Sequence, residues 1–198
     1  AELDDLLRVF PLAAFRPTPK GEALQPPLAS RCPLDGAPTA DGGVEIGALT
    51  TYAEWQASTT YPGGAQAVDE IADVQVRNRG TIGGSIAHAD PASDFPAIAL
   101  AFEASAVLRG PGGERVVPLD GFFEGPFQTK MGPDEILVAI RRGPVAQGAG
   151  FAYRKLAQPA SGYSIVGIAA VVAMNGGSIS HARIGVTGIG VGALLAIV

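Results

Sequence analysis

The chain has 198 residues, 47% of them apolar and only 17% charged, with a net charge of −5 and a mean hydropathy of +0.25. That length holds one large or two small lobes with a real core; the charged fraction is well below the usual level, and the positive hydropathy points to surface hidden against a large partner or a membrane. The acidic balance without a basic block excludes nucleic acid as the expected partner. Cys32 alone cannot make an intrachain disulfide or hold an iron–sulfur cluster, and His88 and His181 do not suffice for a His-rich metal site.

Residues 1–10 carry Leu3, Leu6, Leu7 and Phe10 at helical spacing and read as a short amphipathic helix. Glu2, Asp4 and Asp5 stand where a signal peptide has its basic start, so a cytoplasmic location is expected. Pro11, Pro17, Pro19, Pro26, Pro27, Pro33 and Pro38 make 11–40 mostly irregular. Val44–Leu49 reads as a strand, followed by a helix over 51–57 with Thr50 as its N-cap. A further helix is expected within 61–75, and another from Pro91 to Phe102, where proline is tolerated in a first turn.

Beyond this point the pattern turns to strands. Ala104–Leu108 and Arg115–Pro118 flank a glycine-rich hairpin turn. Ile136–Arg141, Phe151–Leu156, Gly167–Met174 and Ile179–Thr187 follow, the last two joined at Asn175-Gly176-Gly177. The apolar run Ile165–Met174 is interrupted by Gly167 and falls short of the ~20 residues of a spanning helix. Ile184–Val198, with four glycines, suits strands and turns, so no membrane span is expected. The fold class is α+β: a mixed N-terminal lobe, then a larger antiparallel-sheet lobe with helices.

The run Val76–Asp94 carries the chemistry. Gly83 and Gly84 lack a Cβ, so they can take positive φ and turn their N–H groups toward an anion. Thr81, Ile82, Gly83, Gly84 and Ser85 read as a nucleotide-cofactor loop offering backbone N–H groups and two hydroxyls, against the plainer reading of a glycine turn before a helix. Asp94 can return a carboxylate to hydroxyls of the same ligand, or cap the helix near Pro91. His88 reads as a hydrogen-bonded structural histidine.

This run resembles the flavin loop of the FAD-binding medium subunits of molybdenum hydroxylases, of the carbon monoxide dehydrogenase and xanthine dehydrogenase type. The pattern R-N-x-G-T-I-G-G-[NS]-x-x-x-A-x-P-x-x-D is met at Arg77, Asn78, Gly80, Thr81, Ile82, Gly83, Gly84, Ser85, Ala89, Pro91 and Asp94. The likeness extends to Gly112–Phe123, similar to the family's hairpin and its D-x-F-F turn, and to Pro133-Asp134-Glu135-Ile136-Leu137. By resemblance Leu137 lies against the flavin. Lys155 and Tyr163, in a K-x₇-Y segment, lie near the isoalloxazine, where a cation stabilises the anionic reduced ring. Gly162 stands where relatives often carry Asp, and nothing in residues 1–43 matches their A-G-G-[QTH]-S-L-L-type pyrophosphate loop.

The resemblance implies a FAD-binding fold in three parts: an atypical, incomplete N-terminal FAD-binding lobe over 1–48, a main FAD-binding lobe over 49–164, and the start of a truncated C-terminal flavoprotein domain over 165–198. It implies FAD as cofactor and no catalytic or metal-binding residue on this chain. The implied partners are an iron–sulfur small subunit, a molybdopterin large subunit and an external electron acceptor. The alternatives are a stand-alone flavin oxidase or reductase, and a structural subunit that has lost FAD.

Overall fold

In the computed structural model of the protein, residues 37–58, 64–146, 148–189 and 194–197 are described. The expected helix over 1–10, Cys32 and most of the expected N-terminal lobe lie outside them. The strands β1 (Ala37–Pro38), β2 (Val44–Gly47), β3 (Ser105–Gly110), β4 (Gly113–Pro118) and β7 (Ile136–Arg142) form an antiparallel sheet in the order β1-β2-β7-β3-β4. The strands β5 (Phe123–Gly125) and β6 (Gln128–Thr129) make a small hairpin. The second sheet, in the order β11-β10-β9-β8, holds β8 (Gly150–Ala157), β9 (Ser164–Asn175), β10 (Ser178–Thr187) and β11 (Leu194–Ile197). The α+β reading holds. Ala37 and Pro38, expected to be irregular, pair with Glu45 and Val44.

Among the described residues, five short helices join the sheets. In α1 (Tyr52–Ala57) the N-cap is Thr51, one residue later than expected. Thr51 Oγ1 accepts from Glu54 N at 3.2 Å while Glu54 Oε2 accepts from Thr51 N at 2.8 Å, a closed capping box. Thr50 is instead buried, and its N–H donates to Gly47 O. Thr51→Ala is expected to cost about 1 kcal/mol, read as a lower urea midpoint at constant m-value; an unchanged midpoint would contradict the box.

The helix expected within 61–75 is two helices, α2 (Gly64–Val68) and α3 (Val74–Arg77). Ala72 turns left-handed between them (φ 46°), and Asp73 caps α3 by accepting from Val76 N at 2.8 Å. Asp competes with the backbone inside a helix and is favoured at its start. The next helix, α4 (Ile82–His88), precedes α5 (Asp94–Ala101), which begins at Asp94 rather than Pro91. Pro91 is held elsewhere: its carbonyl accepts from Gly188 N and Thr187 Oγ1, both at 2.8 Å.

All eight residues of α5 are buried, and the helix lies across β9 and β10. It is the centre of a continuous core that takes Ile46, Leu108 and Ile140 from one sheet and Tyr153, Ala169 and Val171 from the other. Trp55, 1% exposed, meets the Phe95 ring edge-on at 5.2 Å. Strand pairing crosses both expected domain boundaries. β2 pairs with β7 across residue 48, and β8 with β9 across residue 164.

Candidate functional site

The glycine run is a helix, not a loop. Thr81 is the N-cap of α4, its Oγ1 accepting from Gly84 N at 3.0 Å. Neither Gly83 nor Gly84 takes positive φ. Four of the five amides expected to face an anion are engaged inside the protein: Ile82 N to Thr50 O, Gly83 N to Ala48 O, Gly84 N to Thr81 Oγ1 and Ser85 N to Thr81 O. The reason for glycine is close packing. A Cβ on Gly83 would stand 2.7 Å from Ala48 O and 2.4 Å from Ala48 Cβ, whereas one on Gly84 would meet only Thr81 Oγ1, at 2.7 Å.

What the run offers a ligand is therefore side-chain chemistry and a flat patch. Thr81 and Ser85 keep hydroxyl groups on the open side of α4, and Gly84 is exposed between them. That side forms one wall of a cavity of about 700 Å³. The residues before α3 and α3 itself supply Ile71, Asp73 and Val76, and Arg79 follows; the opposite wall is the β8–β9 loop, Ala160–Tyr163. Ser93 and Asp94 form part of the lining where α5 begins.

The structure brings Thr81, Gly84, Ser85, Asp94 and Tyr163 together on this lining. Ile82, fully buried, and Gly83 face the core instead. Leu137 lies on β7 against Leu108 and packs on the core rather than on the cavity. The Lys155 side chain, only 4% exposed, reaches Asp94 Oδ2 at 3.0 Å and Gly162 O at 2.8 Å. Asp94 does not cap α5, whose N-cap is Ser93. Its Oδ1 accepts from Tyr153 Oη at 2.5 Å and Ser164 Oγ at 2.6 Å, so the carboxylate ties α5 to β8 and β9. Burial, with the Asp94 charge beside it, pushes the Tyr153 hydroxyl well above its ordinary range, so it stays a proton donor.

Several lining residues escaped the sequence reading. Tyr52 and Ile71 carried no motif, and Ser93 pairs its hydroxyl with that of Ser85. Asp73 was legible as a helix cap, and Arg79 lay inside the run. His88 is exposed at the cavity rim, where its ring sits 5.0 Å from Phe127; a ring contact replaces the expected hydrogen bond.

The family model described as the FAD binding domain in molybdopterin dehydrogenase matches residues 32–141. The chain belongs to this family. Within the FAD-binding family, the chain is 48% identical over 125 residues to the carbon monoxide dehydrogenase medium chain of Hydrogenophaga pseudoflava, covering 63% of this chain and 44% of that one. It is 35% identical over 160 residues to the glyceraldehyde dehydrogenase medium chain of Sulfolobus acidocaldarius, covering 79% of this chain and 57% of the relative. The fold matches a solved carbon monoxide dehydrogenase from Hydrogenophaga pseudoflava with a TM-score of 0.77 at 43% identity, covering 83% of this chain and 59% of that chain. This FAD-binding chain spans about half the length of the curated relatives it matches.

The cavity suits the family's cofactor chemically. Asp73 and Asp90 can accept from sugar hydroxyls, whereas Asp94 is taken up by Tyr153, Ser164 and Lys155, and Thr81 and Ser85 can donate to phosphate oxygens. Arg79, which makes no ion pair among the described residues, is a cation for a diphosphate. Tyr163, 52% exposed, and Val76, 47% exposed, offer apolar surface to a flat ring. The Gly84 patch is a cradle that a Cβ would fill.

Proposed function

We propose that this chain binds FAD noncovalently in the cavity between α4 and the β8–β9 loop and serves as the electron-carrying flavoprotein part of a molybdenum hydroxylase. In this reading it takes electrons from an iron–sulfur small subunit, in an assembly whose molybdopterin large subunit hydroxylates the substrate. It then hands them to an external acceptor. FAD, when bound, supplies a ring that accepts and releases electron pairs. The protein's own residues bind and orient. Arg79 and the Thr81 and Ser85 hydroxyls hold the diphosphate, Asp73 and Asp90 the sugar hydroxyls, and Tyr52, Val76 and Tyr163 keep water from the ring.

The observation that carries this reading is that the matched stretch, residues 32–141, contains the cavity lining from Tyr52 to Asp94. The designation of relatives as medium chains supports partners of other sizes. No helix among the described residues is long and apolar enough to cross a membrane. A cytoplasmic assembly is part of the proposal.

Size-exclusion chromatography of native material, with a visible spectrum across the peak, tests the assignment. The chain should elute in a larger assembly with flavin and iron–sulfur absorbance together. Flavin bands without a partner would favour a stand-alone flavin enzyme, and an assembly without flavin a structural subunit. A monomer with full substrate turnover would refute the proposal.

A further inference from the structure

We infer that Lys155 is the positioning residue of the cofactor cavity: its ammonium pins the Gln158–Tyr163 loop to Asp94 and so sets where that wall stands. The inference rests on the cofactor reading above and says how this chain shapes that site. The loop is a tight unit of its own. Gln158 N donates to Tyr163 O at 2.8 Å, Gly162 N to Gln158 O at 2.9 Å, and Gln158 Oε1 accepts from the amides of Ala160 and Ser161. Gly162, at φ +73°, makes the turn that points its carbonyl inward.

Among the described residues, the one hydrogen bond from residues 158–162 to a side chain outside the loop is Lys155 Nζ to Gly162 O, at 2.8 Å. The same ammonium holds Asp94 Oδ2 at 3.0 Å. Asp94 cannot follow the loop, because it sits on the first residue of the buried helix α5 and is also held by Tyr153 and Ser164. One end of the strut is therefore fixed and the other carries the wall. Tyr163 follows Gly162 directly and presents its half-exposed side chain to the cavity.

The geometry also explains why Lys155 acts through the loop. Its side chain is 4% exposed and that of Asp94 is 8% exposed, and the residue is absent from the cavity lining. Both acceptors are satisfied by a buried, desolvated donor, where a charge-assisted hydrogen bond is strongest. A surface lysine would give neither fixed end.

Hydrogen exchange on the full, ligand-free chain tests this, comparing the unmodified protein with Lys155→Met. Losing one hydrogen bond from a charged donor should speed exchange at the Gln158 and Gly162 amides by about tenfold. Amides within α5 and β10 should keep their rates, and Lys155→Arg should restore slow loop exchange, which general loss of packing would not do. Lys155→Met leaves the Asp94 charge buried, so the double variant Lys155→Met/Asp94→Asn, neutral at both positions, gives the same reading if the single variant folds poorly. With FAD as probe, the dissociation constant should rise by about tenfold in Lys155→Met. Unchanged exchange at Gln158 and Gly162 in both variants would overturn the inference. FAD uptake by the unmodified chain is read separately and decides the cofactor reading alone.

Discussion

Gly185→Ala should destabilise the protein by about 3 kcal/mol or more, a large part of what a domain of this size has. A Cβ at Gly185 would stand 1.9 Å from Ala97 O and 2.7 Å from Ala97 C, inside the backbone of α5. The clash has no soft partner. α5 is buried along its whole length, and its start is fastened by Thr187 Oγ1 to Pro91 O at 2.8 Å and to Ser93 O at 2.7 Å. The helix can move only by breaking these bonds or those of Asp94. Gly112→Ala is the matched control, because nothing lies within 4 Å of its Cβ position. Urea unfolding should show a much lower midpoint for Gly185→Ala and almost none of that loss for Gly112→Ala. Equal midpoints would mean that the approach of β10 to α5 is looser than described.

Two adjacent glycines should fail in different ways. Gly84→Val should weaken FAD binding by about a hundredfold, or ~2.8 kcal/mol, and leave the chain folded. Its Cβ meets only the Thr81 hydroxyl oxygen, so the fold loses at most a cap of about 1 kcal/mol. The rest of the side chain projects into the exposed patch on the cavity wall. Gly83→Val instead drives its Cβ into the Ala48 backbone, and the helix cannot stay against β2. That variant should lose stability and flavin together. The readouts are the flavin-to-protein absorbance ratio and the thermal midpoint of each variant. Full flavin occupancy in a folded Gly84→Val protein would sink the assignment of this wall.

The longer strands β2, β3, β4, β7, β8, β9 and β10 were legible because their signals are local, whereas the two- and three-residue strands β1, β5 and β6 were not. Alternating apolar residues and the Asn175-Gly176-Gly177 turn sufficed, and Gly176 and Gly177 do take positive φ of 58° and 86°. The capping box was also there to be read, since Glu54 lies three residues after Thr51 and not after Thr50. The glycine run misled because glycine disfavours a helix interior. Its helix is imposed from outside, by the contact of Gly83 with Ala48, which no window around residue 83 contains. The same limit hid what Asp94 does. Its partners Tyr153, Lys155 and Ser164 lie 59, 61 and 70 residues further on, and they meet only once β8 and β9 pack on α5. The resemblance pointed to Lys155 near the ligand, and the fold adds that its ammonium is occupied by Asp94 and the loop.

The most direct test of the account is a crystal structure of the protein grown with FAD. It predicts the cofactor between Thr81–Ser85 on one side and Ala160–Tyr163 on the other, with Arg79 at the diphosphate. Cofactor density in a separate cavity of about 420 Å³ lined in part by Phe102, Val145 and His181, or no bound FAD under saturating conditions, would contradict it.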